Sequence, residues 1–126
     1  MGWRYDHTHF KCSDPEKTIA FFKEYFGATE VTRLDHGMLI ITLDIGGLWY
    51  NFSPARSGET VEAKTQPARY GIYHMALRTD DLVAEAARLK ARGVKFTREL
   101  DLSEPGTKFA FIERPDGMSI ELLQRD

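Results

Sequence analysis

Four histidines, at positions 7, 9, 36 and 74, together with Glu121, are the residues of this chain best suited to metal or proton chemistry. Two neutral imidazoles and one carboxylate form the facial set that holds non-haem iron, and the same donors suit zinc, manganese or nickel. His7, His74 and Glu121 lie far apart in the chain, so spacing alone does not assemble them. The elements that carry them must do so.

His7 belongs to an alternating stretch, residues 4–12. Successive strand side chains point to opposite faces, so Thr8, Phe10 and Cys12 share one face and His7, His9 and Lys11 the other. Ser13-Asp14-Pro15-Glu16 then supplies a capping residue and a proline suited to a first helical turn. Ile19, Phe22 and Phe26 recur at helical spacing, and Gly27 provides a stop. Strands are predicted around 30–35, 38–44 and 48–53, separated by His36-Gly37 and Ile45-Gly46-Gly47. Residues 54–69 are polar, rich in turn formers and aperiodic, which reads as a linker.

The same order then returns. Residues 72–78 alternate, Thr79-Asp80-Asp81 can cap a helix with Leu82, Ala86 and Leu89 as its buried stripe, and Gly93 stops it. Strands are predicted at 94–99, 108–113 and 119–124, with a Pro115-Asp116-Gly117 turn before the last. Equal spans separate Asp14 from Gly27 and Asp80 from Gly93. His7 and His74 stand in equivalent places before the two helices, and Asn51 answers Glu121 in the closing strands. Such a repeat implies a duplicated unit whose halves bury a shared surface. Halves of this size are uncomfortable alone. The expectation is therefore one domain over 1–126, with modules at about 4–53 and 70–126 joined by 54–69. Symmetric pairing would bring His7, His74, Asn51 and Glu121 together on one concave sheet.

Alternation also puts His9 beside His7, where an imidazole can serve as general acid or base. Arg78, on the His74 face, offers a planar fork to an anionic substrate. Trp49, Phe109 and Phe111 have the parity to line a pocket with aromatic rings, whereas Tyr73 points away from the His74 face. Cys12 reads as a buried structural thiol, and His36 as an exposed turn residue.

Composition bounds the alternatives. In 126 residues, 42% are hydrophobic and 29% charged, which supports a folded core. Seventeen basic against nineteen acidic residues leave a net charge of −2, arguing against nucleic acid or an anionic membrane as partner. One cysteine excludes an internal disulfide and favours the cytoplasm. The N-terminal residues have no apolar run fit for secretion. Residues 38–52, the most apolar segment, are broken by Thr42, Asp44, two glycines and Asn51 and cannot span a bilayer.

Several segments together resemble the vicinal oxygen chelate superfamily, also called the glyoxalase/bleomycin-resistance/dioxygenase family. In the first half they are Tyr5-Asp6-His7-Thr8-His9-Phe10-Lys11, Asp14-Pro15-Glu16-Lys17, Phe21-Phe22 and Phe26-Gly27. In the second they are Tyr73-His74-Met75-Ala76-Leu77, Leu89-Lys90-Ala91-Arg92-Gly93-Val94, and Arg114-Pro115-Asp116-Gly117-Met118-Ser119-Ile120-Glu121-Leu122. The resemblance implies an α+β fold in which two tandem βαβββ modules form an open, cup-shaped mixed sheet around a divalent metal, with helices outside. His7, His74 and Glu121 match the family's metal-binding positions. The fourth position, usually Glu or Gln in glyoxalase I and methylmalonyl-CoA epimerase, is the shorter Asn51, expected to touch substrate. Lys11 stands where glyoxalase I has an arginine that contacts glutathione.

The resemblance thus implies a homodimeric, metal-dependent lyase or isomerase acting on a small substrate with vicinal oxygens through a metal-stabilised enolate. His9 or Glu121 would move the proton. An iron(II) extradiol dioxygenase with the same triad and a non-catalytic drug-binding protein of the bleomycin-resistance kind are the alternatives. Leu48-Trp49 looks like the fosfomycin-resistance group. Phe109-Ala110-Phe111 replaces that group's Ser- and Tyr-bearing strand, so fosfomycin is not the expected substrate.

Overall fold

The computed structural model describes residues 2–63 and 70–126, so the end of the expected linker, 64–69, lies outside the described residues. The chain divides into two compact units, Met1–Glu62 and Ala63–Asp126.

In the first unit Asp14 caps helix α1 (Pro15–Phe26), its carboxylate accepting the Lys17 N–H at 3.2 Å. Pro15 occupies the first turn, where its missing N–H is harmless. Gly27 ends the helix in the left-handed region, φ 64°, which glycine enters without strain. Around α1 run β1 (His7–Lys11), β2 (Thr29–Asp35), β3 (Leu39–Ile45) and β4 (Leu48–Ser53). Their order in the sheet is β1-β4-β3-β2, with β1 parallel to β4 and the other pairs antiparallel. Phe22, Ile41, Leu43 and Phe52 are fully buried. The Phe22 and Phe52 rings lie 5.7 Å apart, fastening helix to sheet. Cys12 is buried and His36 exposed, both as expected.

The second unit repeats the plan. It contains β5 (Met75–Arg78), α2 (Leu82–Ala91), β6 (Phe96–Asp101), β7 (Thr107–Glu113) and β8 (Ser119–Arg125), in the order β5-β8-β7-β6. Again the first strand is parallel to the last. Asp81 caps α2 by accepting the Ala84 N–H at 3.1 Å. Leu82, Ala86 and Leu89 are buried, as are Ala110, Ile112, Ile120 and Leu122. Asp116 and Gly117 both have positive φ, 54° and 68°, forming the tight turn that joins β7 to β8.

The fold class read from the sequence is observed: an α+β chain of two βαβββ-like modules, each with a four-stranded mixed sheet and one helix. The first strand of each module is shorter than the alternating sequence implies. β1 starts at His7, not residue 4, because its partner β4 starts at Leu48 and His7 already pairs with Trp49. β5 starts at Met75, not residue 72, for the same reason: β8 begins at Ser119, one residue before the partner of Met75. His74 therefore stands just outside the ladder. Among the described residues no helix is long and apolar enough to cross a membrane.

Candidate metal and substrate site

On β1 the expected alternation holds, with His7, His9 and Lys11 more exposed than Thr8 and Phe10. Register sets these residues beside Trp49, Asn51 and Ser53 of β4 respectively. His7 Nδ1 lies 2.6 Å from the Asp6 carboxylate. With Asp6 accepting a hydrogen bond from Nδ1–H, Nε2 keeps its lone pair available to a ligand. His9 Nε2 lies 2.7 Å from the hydroxyl of the fully buried Ser53. Burial, followed by the neighbouring charges of Lys11, His7 and Arg56, pushes the His9 pKa down. His9 is therefore a neutral imidazole at neutral pH, in hydrogen-bond contact with a hydroxyl that can give or take a proton.

Two of the expected substrate contacts in this unit already have internal partners. The Asn51 amide oxygen accepts from the Thr42 hydroxyl at 2.6 Å, which leaves the amide N–H groups as donors. The Lys11 ammonium is 2.8 Å from Glu59, whose carboxylate also accepts the Arg56 N–H. Glu59 lies in the segment after β4, and its pKa is lowered first by the Arg56 hydrogen bond and then by Lys11. Trp49 is exposed, its backbone carbonyl accepting the Tyr5 hydroxyl at 3.1 Å.

In the second unit Glu121, Leu123 and Arg125 share the sheet face turned away from Ile120 and Leu122. Phe111 pairs with Glu121, Phe109 with Leu123, and Ala76 with Glu121 from the other side. His74 reaches this face: its Nε2 is 3.8 Å from Glu121 Oε1, and its ring meets Phe111 edge-on at 5.2 Å. The Phe109 ring lies 6.3 Å from Phe111 and carries the Arg98 guanidinium over its face at 4.8 Å. Arg78, on the same strand parity as Ala76, is exposed. The Tyr73 ring corrects the alternation argument. It sits 5.0 Å from the His74 ring, because the chain before Met75 is not held in strand geometry.

The donors of this unit fit a divalent cation. The 3.8 Å between His74 Nε2 and Glu121 is too long for a hydrogen bond, and on the other side of the ring Nδ1 is buried with no hydrogen-bond partner among the described residues. A cation with bonds of roughly 2.1 Å to nitrogen and oxygen would be shared by Nε2 and the carboxylate. Among the described residues no three His, Cys, Asp or Glu side chains lie close enough together to hold a metal.

Three groups here escaped the sequence reading: Asp6, Ser53 and Thr42. Asp6 could have been found from its adjacency to His7. Ser53 follows by alternation from Asn51, but its pairing with His9, like that of Thr42 with Asn51, depends on strand register.

A duplicated βαβββ chain with histidines at the starts of both modules and a glutamate on the last strand defines a class. The chain belongs to the Glyoxalase/Bleomycin resistance protein/Dioxygenase superfamily, whose family model matches residues 4–122. It is 32% identical to the uncharacterized protein YwbC of Bacillus subtilis (strain 168), over 99% of this chain and 100% of that one. It is 28% identical to the lactoylglutathione lyase GLX1 of Arabidopsis thaliana, over 97% of this chain but only 44% of that protein. Among solved structures, the fosfomycin resistance protein FosX of Listeria monocytogenes in complex with Mn(II) and sulfate shares the fold. Its TM-score is 0.74 at 20% identity, covering 100% of this chain and 95% of that one.

Proposed function

We propose that this protein is a divalent-metal-dependent lyase or isomerase of the glyoxalase kind, with His7, His74 and Glu121 as ligands and a small substrate bearing two neighbouring oxygens. The observation that carries this reading is the half-buried His74–Glu121 pair, whose Nε2 and Oε1 lie 3.8 Å apart, too far for a hydrogen bond and close enough to share one cation. Kinship with a lactoylglutathione lyase and the Mn(II) complex of FosX support it. When bound, the metal supplies Lewis acidity to the substrate oxygens.

The chain's own residues do the rest. Asp6 holds the His7 ring with Nε2 outward. His9, neutral and hydrogen-bonded to Ser53, accepts or returns the substrate proton at its ring nitrogen. The Asn51 amide, fixed by Thr42, donates to a substrate oxygen instead of ligating the metal. Phe109 and Phe111 present rings to the apolar part of the substrate. Arg78 pairs with an anionic group, and Lys11 does so only after releasing Glu59. Trp49, exposed on β4, offers its ring to the substrate. Glu121 is a second group able to carry the proton. A homodimer in a reducing, cytoplasmic setting completes the proposal. Light scattering tests the dimer, and the buried lone thiol of Cys12 suits that setting.

Elemental analysis of protein loaded with zinc, nickel, manganese or iron(II) tests the ligand set. His74→Ala and Glu121→Ala should each abolish stoichiometric metal, whereas Asn51→Ala should retain it. Retention of full metal by Glu121→Ala would overturn the assignment. Oxygen uptake with ring cleavage of catechols by the iron(II) form would replace the isomerase by a dioxygenase.

A further inference from the structure

The face that bears Glu121 continues into a cleft of about 240 Å³ lined by Glu104, Thr107, Phe109, Glu121, Leu123 and Arg125. Three of its lining residues belong to β8. Glu121, Leu123 and Arg125 are alternate residues of one strand, so Glu121 and Arg125 are about 13 Å apart along it at roughly 3.3 Å per residue. Leu123 and its cross-strand partner Phe109 make an apolar floor between them. The far rim is fixed by backbone bonds: Thr107 pairs with Arg125, Thr107 N–H donates to Glu104 O, and Asp126 N–H donates to Gly106 O at 3.0 Å.

That rim carries one carboxylate and one guanidinium, and neither side chain has a partner among the described residues. The other arginine of this wall, Arg98, is occupied by Asp101 at 2.9 Å while it covers Phe109. Two opposite charges on one rim that do not satisfy each other match a ligand that bears both. A plain carboxylate would gain Arg125 and be repelled by Glu104. A plain amine would meet the reverse.

We propose that this end of the cleft binds the α-amino-acid head group of a zwitterionic substrate, with its carboxylate on Arg125 and its ammonium on Glu104. The apolar or aromatic body then lies over Phe109 and Leu123, and the neighbouring oxygens reach the Glu121 end. The inference deepens the metal-site reading and rests on it for the position of those oxygens. The head-group contacts stand on the rim alone.

The test uses four catechols that differ only in the head group: dopa, dopamine, dihydrocaffeate and ethylcatechol. They are titrated calorimetrically, without oxygen, into the zinc-loaded protein. Dopa should bind tightest, with each missing charge weakening binding roughly fivefold. Arg125→Gln should weaken dopa and dihydrocaffeate, leave ethylcatechol unchanged and, by removing a repulsion, leave dopamine no weaker. Glu104→Gln should weaken dopa and dopamine only. Equal affinity for all four, uniform weakening by either substitution, or no binding of dopa overturns the proposal. Phenylalanine, hydrocinnamate and phenethylamine, titrated into metal-free protein, separate the two readings. If only the metal site is wrong, the charge preferences persist there. If only the head group is wrong, dopa binds the zinc form but Arg125→Gln leaves its affinity unchanged.

Discussion

Asp6 governs which nitrogen of His7 is presented. At 2.6 Å its carboxylate accepts a hydrogen bond from Nδ1–H, so the tautomer with a free Nε2 is held in place before any ligand arrives. Removing such a partner typically weakens metal affinity ten- to a hundredfold. Asp6→Ala should therefore raise the zinc dissociation constant by about tenfold or more in competition with a chromophoric chelator, with melting of the apoprotein unchanged. Unaltered affinity would show that His7 orients itself. At this scale the sequence told part of the story. Alternation and the repeat were enough to put His7 with His9 and His74 with Glu121. The internal partners of Lys11 and Asn51 were hidden, since Glu59 lies in a segment without periodicity and Thr42 meets Asn51 only through the β3–β4 register.

Among the elements, the helices were the most legible because their ends are written in local chemistry. Asp14 and Asp81 each satisfy an otherwise orphaned N–H of the third helical residue, at Lys17 and Ala84. Asp81→Ala should destabilise the protein by about 1 kcal/mol in urea unfolding. A larger effect is expected where α1 meets its sheet. Phe22→Ala removes a fully buried ring packed at a tilt against Phe52 and should cost about 3–5 kcal/mol. The ends of strands were less legible than the helix caps. Residues 4–6 and 72–74 alternate as a strand would, yet β1 and β5 extend only as far as β4 and β8 reach to meet them. Strand length is a property of the pair, and the partner's start is set by a glycine turn elsewhere in the chain.

Across the whole molecule, the two units carry the same strand order and the same single parallel pairing, first strand to last. A metal bound only to the folded chain stabilises it by mass action, by about 2.7 kcal/mol when free metal is a hundred times its dissociation constant. Melting with zinc and after chelation should differ accordingly, and the difference should vanish in His74→Ala. That pairing of first strand with last has a kinetic meaning too. The antiparallel ladders β3–β4 and β7–β8 close across short turns, whereas β1 and β5 must wait for their partners from the far end of the unit. Long closures form late and open early. The backbone amides of β1 and β5 should therefore exchange with deuterium ahead of those in β3 and β7, and zinc should slow this exchange more than that of any other strand. Local opening of one short strand, without global unfolding, would then be the route by which a bound ion escapes.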